Sequence, residues 1–186
     1  MTIESAMTEA THKMEQAIAH LKEDFGSVRT GRASPAVLQR VTVEYYGTPV
    51  LLNQLASINT PEPRLLQISP FDKNALGAIE KAIQSSDLGI TPSNDGSVIR
   101  LAFPPLTEER RKELVKQVHH RAEEGRVAVR NVRRHAKEAM EKLEREGGIS
   151  EDELKRAEKE LQKLTDRFVG EIDEIQGHKE QELMEV

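Results

Sequence analysis

Apolar residues recur every three or four positions from the start of the chain. Ile3, Met7, Ala10, Met14, Ala17, Leu21, Phe25 and Val28 mark one seam of a helix that should end before Gly31 and Ser34-Pro35. The stepping returns after Thr107 as Leu114, Val118, Ala122, Gly125, Val129, Val132, Ala136, Ala139 and Leu143. Thr107 is placed to cap this second helix, Glu108 and Glu109 complement its dipole, and Gly147-Gly148 should stop it. Ser150 and Glu153 then spell a capping box, and Leu154, Ala157, Leu161, Leu164, Phe168, Ile172 and Ile175 carry a third helix almost to the C-terminus. At a rise of 1.5 Å per residue the last two helices each run to about 50 Å, more than a small globule can cover. They must bury their seams on each other and on the first helix, which predicts an elongated antiparallel three-helix bundle.

Between these helices the pattern changes. All eight prolines lie from Pro35 to Pro105. Val41, Val43 and Tyr45 alternate with polar residues, Tyr46-Gly-Thr-Pro49 reads as a turn, and Leu65 to Phe71 is a short apolar run bounded by prolines. Asp72 can cap a short helix with Leu76, Ile79 and Ile83 inward, and Asn94-Asp-Gly96 sits like a hairpin turn between residues 90–92 and the run Val98 to Phe103. The expected fold class is therefore α+β. Residues 1–30 and 106–186 form the bundle, and residues 31–105 form an inserted small β/α/β domain. Two chain crossings, 29–34 and 103–106, join them. Gly31, Ala33, Ser34, Pro104, Pro105 and Leu106 serve turns and element ends in the simplest reading, and form a hinge in the sharper one.

Composition narrows the function classes. With 37% hydrophobic and 32% charged residues among 186, the chain suits a folded protein with long solvated helices. Zero cysteines exclude a disulfide framework, a thiolate zinc site and a cysteine nucleophile. No run approaches 18 apolar residues and the N-terminus does not read as a signal segment, so a cytoplasmic protein without a membrane partner is expected. No glycine-rich phosphate loop, metal-binding His-Glu-x-x-His or nucleophile elbow occurs. The six histidines read as solvated surface, and His119-His120 diverge by about 100° on a helix, which disfavours a shared ion. Neither catalysis, a metal nor a cofactor is expected.

Charge supplies the one candidate interface. The formal net charge is -5, yet residues 125–137 hold Arg126, Arg130, Arg133, Arg134 and Lys137 and no carboxylate. On a helix these cations fall within an arc roughly 100° wide, beside the stripe of Val129, Val132, Ala136 and Met140. Such a row suits phosphate, and the lack of an aromatic row leaves phosphate and shape readout of a nucleic acid. The alternative is internal pairing with Glu158, Glu160, Asp166 or Glu171 of the third helix, as in a coiled-coil interaction or adaptor protein.

Four segments, Arg29-Thr-Gly-Arg-Ala-Ser-Pro35, Val43-Glu-Tyr-Tyr-Gly-Thr-Pro49, Pro105-Leu-Thr-Glu-Glu-Arg-Arg-Lys112 and Val127-Ala-Val-Arg-Asn-Val-Arg-Arg134, closely resemble the ribosome recycling factor family. The closing Lys179-Glu-Gln-Glu-Leu-Met184 extends the resemblance over the full length. The resemblance implies an L-shaped pair of domains and a non-enzymatic, monomeric translation factor of the bacterial cytoplasm. It would bind the ribosome after peptide release and, with elongation factor G and GTP, split the subunits. It further implies that the bundle lies along large-subunit ribosomal RNA near the intersubunit bridges. Arg130 and Arg133 would then be phosphate contacts, supported by Arg29, Arg32, Arg126, Arg134 and Lys137, with the insert swinging about the two crossings. One departure is His135, where the family commonly carries an acidic residue; it should raise the local positive potential and make binding pH-sensitive.

Overall fold

A computed structural model describes residues 1–26, 28, 30–86 and 88–185. The main elements in chain order are α1 (Ile3–Gly26), β1 (Thr42–Tyr45), β2 (Thr48–Leu51), α2 (Leu52–Leu55), β3 (Ala56–Glu62), β4 (Leu65–Pro70), α3 (Leu76–Gln84), β5 (Ser93–Asn94), β6 (Ile99–Ala102), α4 (Glu108–Arg145) and α5 (Glu151–Met184). The chain divides into two compact units, Met1–Arg29 with Glu108–Glu185, and Thr30–Thr107. It is α+β, as its hydropathy pattern predicts.

In the helical unit, Ala6 and Ala10 of α1 share a core cluster with Ala136 and Met140 of α4 and with Ala157 and Leu161 of α5. At the other end Gly125 faces Leu21 and Ile172, whose methyl carbons lie 3.6 and 3.5 Å from where a Cβ would stand. These two layers fix directions: α4 runs antiparallel to both α1 and α5. Alanines in the first layer let the helix backbones approach closely, whereas Met14, Ile18, Leu21 and Phe25 fill the rest of the α1 seam. The seam is broader than a strict four-three step, since Ala6 and Ile18 are buried where Met7 and Ala17 are half-buried.

Local chemistry sets the helix ends. Thr2 and Ser5 exchange backbone-to-side-chain hydrogen bonds of 2.9 and 3.0 Å, capping the first turn of α1. Gly147, at φ +75°, and Gly148 donate to Glu144 and Leu143 carbonyls at 2.9 and 2.8 Å and close α4. The Ser150 and Glu153 box is formed in both directions, at 3.1 and 2.7 Å.

In the second unit β3, β4, β6 and β5 form an antiparallel sheet in that order, while β1 and β2 make a separate hairpin. Leu66 and Ile68 of β4 stand directly opposite Leu101 and Ile99 of β6, all fully buried, and Ile79 and Ile83 of α3 join the same core. The β1–β2 turn is only Tyr46 and Gly47, at φ 49° and 76°, so Thr48 and Pro49, expected in the turn, belong to β2. The other hairpin strand is Ser93–Asn94, slightly later than residues 90–92.

The β5–β6 turn has a defined acid sensitivity. Asp95 accepts hydrogen bonds from the Val98 and Ser97 amides at 2.9 Å each and from Arg100 at 2.7 Å. The amides first, then the guanidinium, lower its pKa from 3.8 to about 2. Because the folded value is depressed, the turn is stabilised above the ordinary value and that contribution disappears as pH falls through the folded one. An NMR titration of the Asp95 carboxyl carbon should show its midpoint near 2. A midpoint at the ordinary value would mean that these hydrogen bonds do not persist in solution.

Candidate nucleic-acid interface

The five cations of residues 125–137, all on α4, divide into two rows. Arg126, Arg133 and Lys137 lean toward α5, and Arg130 and Arg134 lie on α4's own outer surface. Arg126 is the most constrained: its guanidinium donates to Asp173 at 2.6 and 2.9 Å, to Glu123 at 3.3 Å and to the Gln176 carbonyl, and its side chain is only 15% exposed. Gln176 also bonds His119 and Glu180, each at 2.9 Å, and His119 reaches Glu180 at 2.7 Å. His119, expected as plain solvated surface, is thus part of a polar seam between α4 and α5.

Arg126 differs from the rest of the row. Arg126 is neutralised from within, and the neutralising carboxylate comes from 47 residues further along the chain, which is why the acid-free run around it gave no warning. Its guanidinium has three partners at once and is itself mostly covered, although Asp173 and Glu123 stay 58 and 55% exposed, so an outside anion would have to compete with several short contacts. Arg126 therefore acts as a tie between α4 and α5.

The remaining cations differ. Arg130 touches Glu123 at 3.2 Å with both side chains about half exposed. Arg134 approaches Glu138 only to 4.0 Å, and Lys137 stands 3.8 Å from both Glu141 and Glu158. Exposed pairs of this kind are worth about 0–1 kcal/mol, so a phosphate can displace them at little expense. Arg133 donates to the neutral amide of Gln162 at 3.0 Å. Four cations therefore remain addressable along about two turns of one helix, with exposed His135 among them. Arg32 is exposed in the other unit, and Arg29 lies outside the described residues.

Of the proposed joint residues, Ala33 and Ser34 are tied into the second unit. Ala33 is buried and donates to the Pro63 carbonyl at 2.8 Å, and Ser34 accepts from the Ala36 amide at 3.3 Å. On the return strand Phe103 donates to the Arg64 carbonyl at 2.8 Å, so entry and exit of the insert are pinned to one turn. Gly31 adopts φ +79°, and Pro104, Pro105 and Leu106 follow that anchor without regular structure.

Reading along the chain missed Gln162 and Gln176, and offered Asp166 as an arginine partner, whereas it accepts from Gln162. Thr165 and Gln176 continue the buried stripe Leu161, Phe168 and Ile172, and polar residues at stripe positions are the signal that a hydrogen-bonded partner waits across the seam. Thr165 satisfies itself on the Leu161 carbonyl at 2.8 Å. Among the described residues there is no group of three or more His, Asp or Glu placed to hold a metal, and no helix is long and apolar enough to cross a membrane.

Comparison with known proteins shows the family. The model of the family described as ribosome recycling factor matches residues 21–184. The ribosome-recycling factors of Thermobifida fusca and Acidothermus cellulolyticus are 59% and 56% identical over 184 residues, 99% of this chain and 100% of theirs. That of Bacillus subtilis is 56% identical over 180 residues, 97% of both chains. A solution structure of the ribosome recycling factor superposes with a TM-score of 0.78 at 48% identity, covering 99% of this chain and 98% of that one. A structure described as models for the T. thermophilus ribosome recycling factor and the E. coli elongation factor G bound to the E. coli post-termination complex matches with a TM-score of 0.66 at 50% identity, over 98% and 99%. With its fold and its full length both matched, the chain belongs to the ribosome recycling factor family.

Proposed function

We propose that this protein is a translation factor that binds post-termination ribosomes and, with elongation factor G and GTP, separates them into subunits. Full-length identity above one half with proteins of that name carries this reading. The relative described on a post-termination complex with elongation factor G supports the same partners. The helical unit holds the ribosome through Arg130, Arg133, Arg134 and Lys137 against phosphates of large-subunit ribosomal RNA near the intersubunit bridges, with Arg29 and Arg32 assisting. The protein catalyses no reaction itself; GTP is hydrolysed by the partner, and the factor works as a monomer in the bacterial cytoplasm.

The insert, residues 31–105, receives the partner's movement and transmits it about Gly31 and Pro104 to Leu106. Ala33 and Phe103 are anchored to the Pro63-Arg64 turn, which supports a joint lying outside these two residues. Internal pairing of the cations, as in an adaptor protein, is favoured most by Arg126, whose side chain is mostly covered, and only weakly by the exposed pairs of Arg130, Arg134 and Lys137.

Sedimentation of purified post-termination ribosomes tests the reading: subunits should be released with this protein, elongation factor G and GTP together, and not when any one is omitted. Release without GTP, or none in the complete mixture, would refute it. In the same assay Gly31→Val, which strains a φ of +79°, should reduce splitting more than binding. Equal loss of both would argue against a moving joint.

A further inference from the structure

We propose that Gln162 of α5 is a positioning residue for Arg133: its amide carbonyl orients the guanidinium at the α4–α5 groove without cancelling its charge. The inference rests on the reading of the α4 cations as phosphate contacts.

The geometry is a two-step relay. Arg133 Nη1 donates to Gln162 Oε1 at 3.0 Å, and Gln162 Nε2 donates to Asp166 Oδ1, one turn further along α5, at 2.8 Å. Asp166 therefore decides which way the amide faces. With the amide turned over, its NH2 would oppose the guanidinium, which has donors only, and its carbonyl would oppose a carboxylate, leaving two repulsive contacts.

The neighbouring cations make the contrast. Arg126, Arg130, Arg134 and Lys137 all face carboxylates. Among the described residues, Arg133 is the member of the row whose partner is neutral. A carboxylate at position 162 would hold the guanidinium equally well but would have to be displaced by an incoming phosphate. An alanine would leave the charge free but the side chain disordered. The amide supplies orientation and leaves the remaining N–H donors of the fork, and the full positive charge, for a bidentate phosphate.

The test measures binding of the intact protein to purified large ribosomal subunits across a salt series, for Gln162→Glu, Gln162→Ala, Arg133→Ala and the double Gln162→Glu/Arg133→Ala. Gln162→Glu should mimic Arg133→Ala, weakening binding about tenfold near 0.1 M salt and flattening the log–log salt slope by about 0.7–0.9. Gln162→Ala should weaken binding only about two- to fivefold with the slope unchanged, because no charge is altered. The double variant should bind within about twofold of Arg133→Ala, since the charge to be cancelled is already gone. Melting temperatures should not fall in either Gln162 variant.

If Gln162→Glu weakens binding as much in the Arg133→Ala background as alone, its effect is general repulsion and the positioning role is overturned. If Gln162→Glu has no effect while Arg133→Ala weakens binding, the positioning role fails and the phosphate reading stands. If Arg133→Ala itself changes nothing, the phosphate reading fails and takes the inference with it.

Discussion

Alanine at both Arg130 and Arg133 lowers affinity for large ribosomal subunits by on the order of 100-fold near 0.1 M salt and flattens the salt slope by about 1.4–1.8. Each guanidinium that neutralises a phosphate releases a condensed counterion, and each also loses a charge-assisted hydrogen bond. The melting temperature should barely move. Arg130 and Glu123 are exposed to 48 and 55%, a pair that contributes little to folding, and the Arg133 partner is a surface amide. Arg126→Ala gives the opposite signature, a clear loss of stability with a smaller loss of binding, because its guanidinium is a tie between helices. Sedimentation at several salt concentrations beside thermal unfolding separates the two behaviours. A double variant that binds normally would mean that the row is not the ribosome-facing surface.

Phe168→Ala has the largest expected effect on stability. Phe168 is 2% exposed and lies on α5 between the Leu161 layer, which holds Ala10 and Ala136, and the Ile172 layer, which holds Leu21 and Gly125. The Arg167 guanidinium covers its ring at 4.8 Å. Truncation leaves a void in a narrow core between rods, where neighbours cannot collapse without shifting a helix, so the loss should reach about 3–5 kcal/mol. Circular dichroism at 222 nm should show the helical transition falling by roughly 10 °C or more. A loss below about 1 kcal/mol would mean that the helices close over the gap and that packing at this level is loose.

The helical unit is almost fully legible in the chain. Ser150 with Glu153, and Gly147-Gly148, are local signals read by local backbone, so they act as expected. Periodicity misjudged only the width of the seams: Ala6 and Ile18 lie inside because α1 contacts both other helices. The insert is less legible for a physical reason. Pro49 and Pro61 sit within β2 and β3, which flank only one neighbouring strand, so a residue without an N–H can face outward at no cost to the ladder. Read along the chain, the same prolines look like strand breakers.

The candidate interface shows what a helical wheel omits. It assigns an angle to each cation but gives neither the reach of a side chain nor the charge waiting on another helix. It therefore grouped Arg126 with Arg133, although one meets Asp173 and the other Gln162. The α5 residues that decide those fates were legible only as polar positions on or beside a buried stripe.

The unbroken run of α4, 38 residues without proline, also restricts how the gene can change length. Inserting one codon ahead of Arg126 would turn every later side chain by about 100° relative to the first turns, carrying Met140 out of the core and the cations away from their surface together. Seven codons added to α4 and matched in α5 would nearly restore the phase. The bundle can therefore grow or shrink only in coordinated steps.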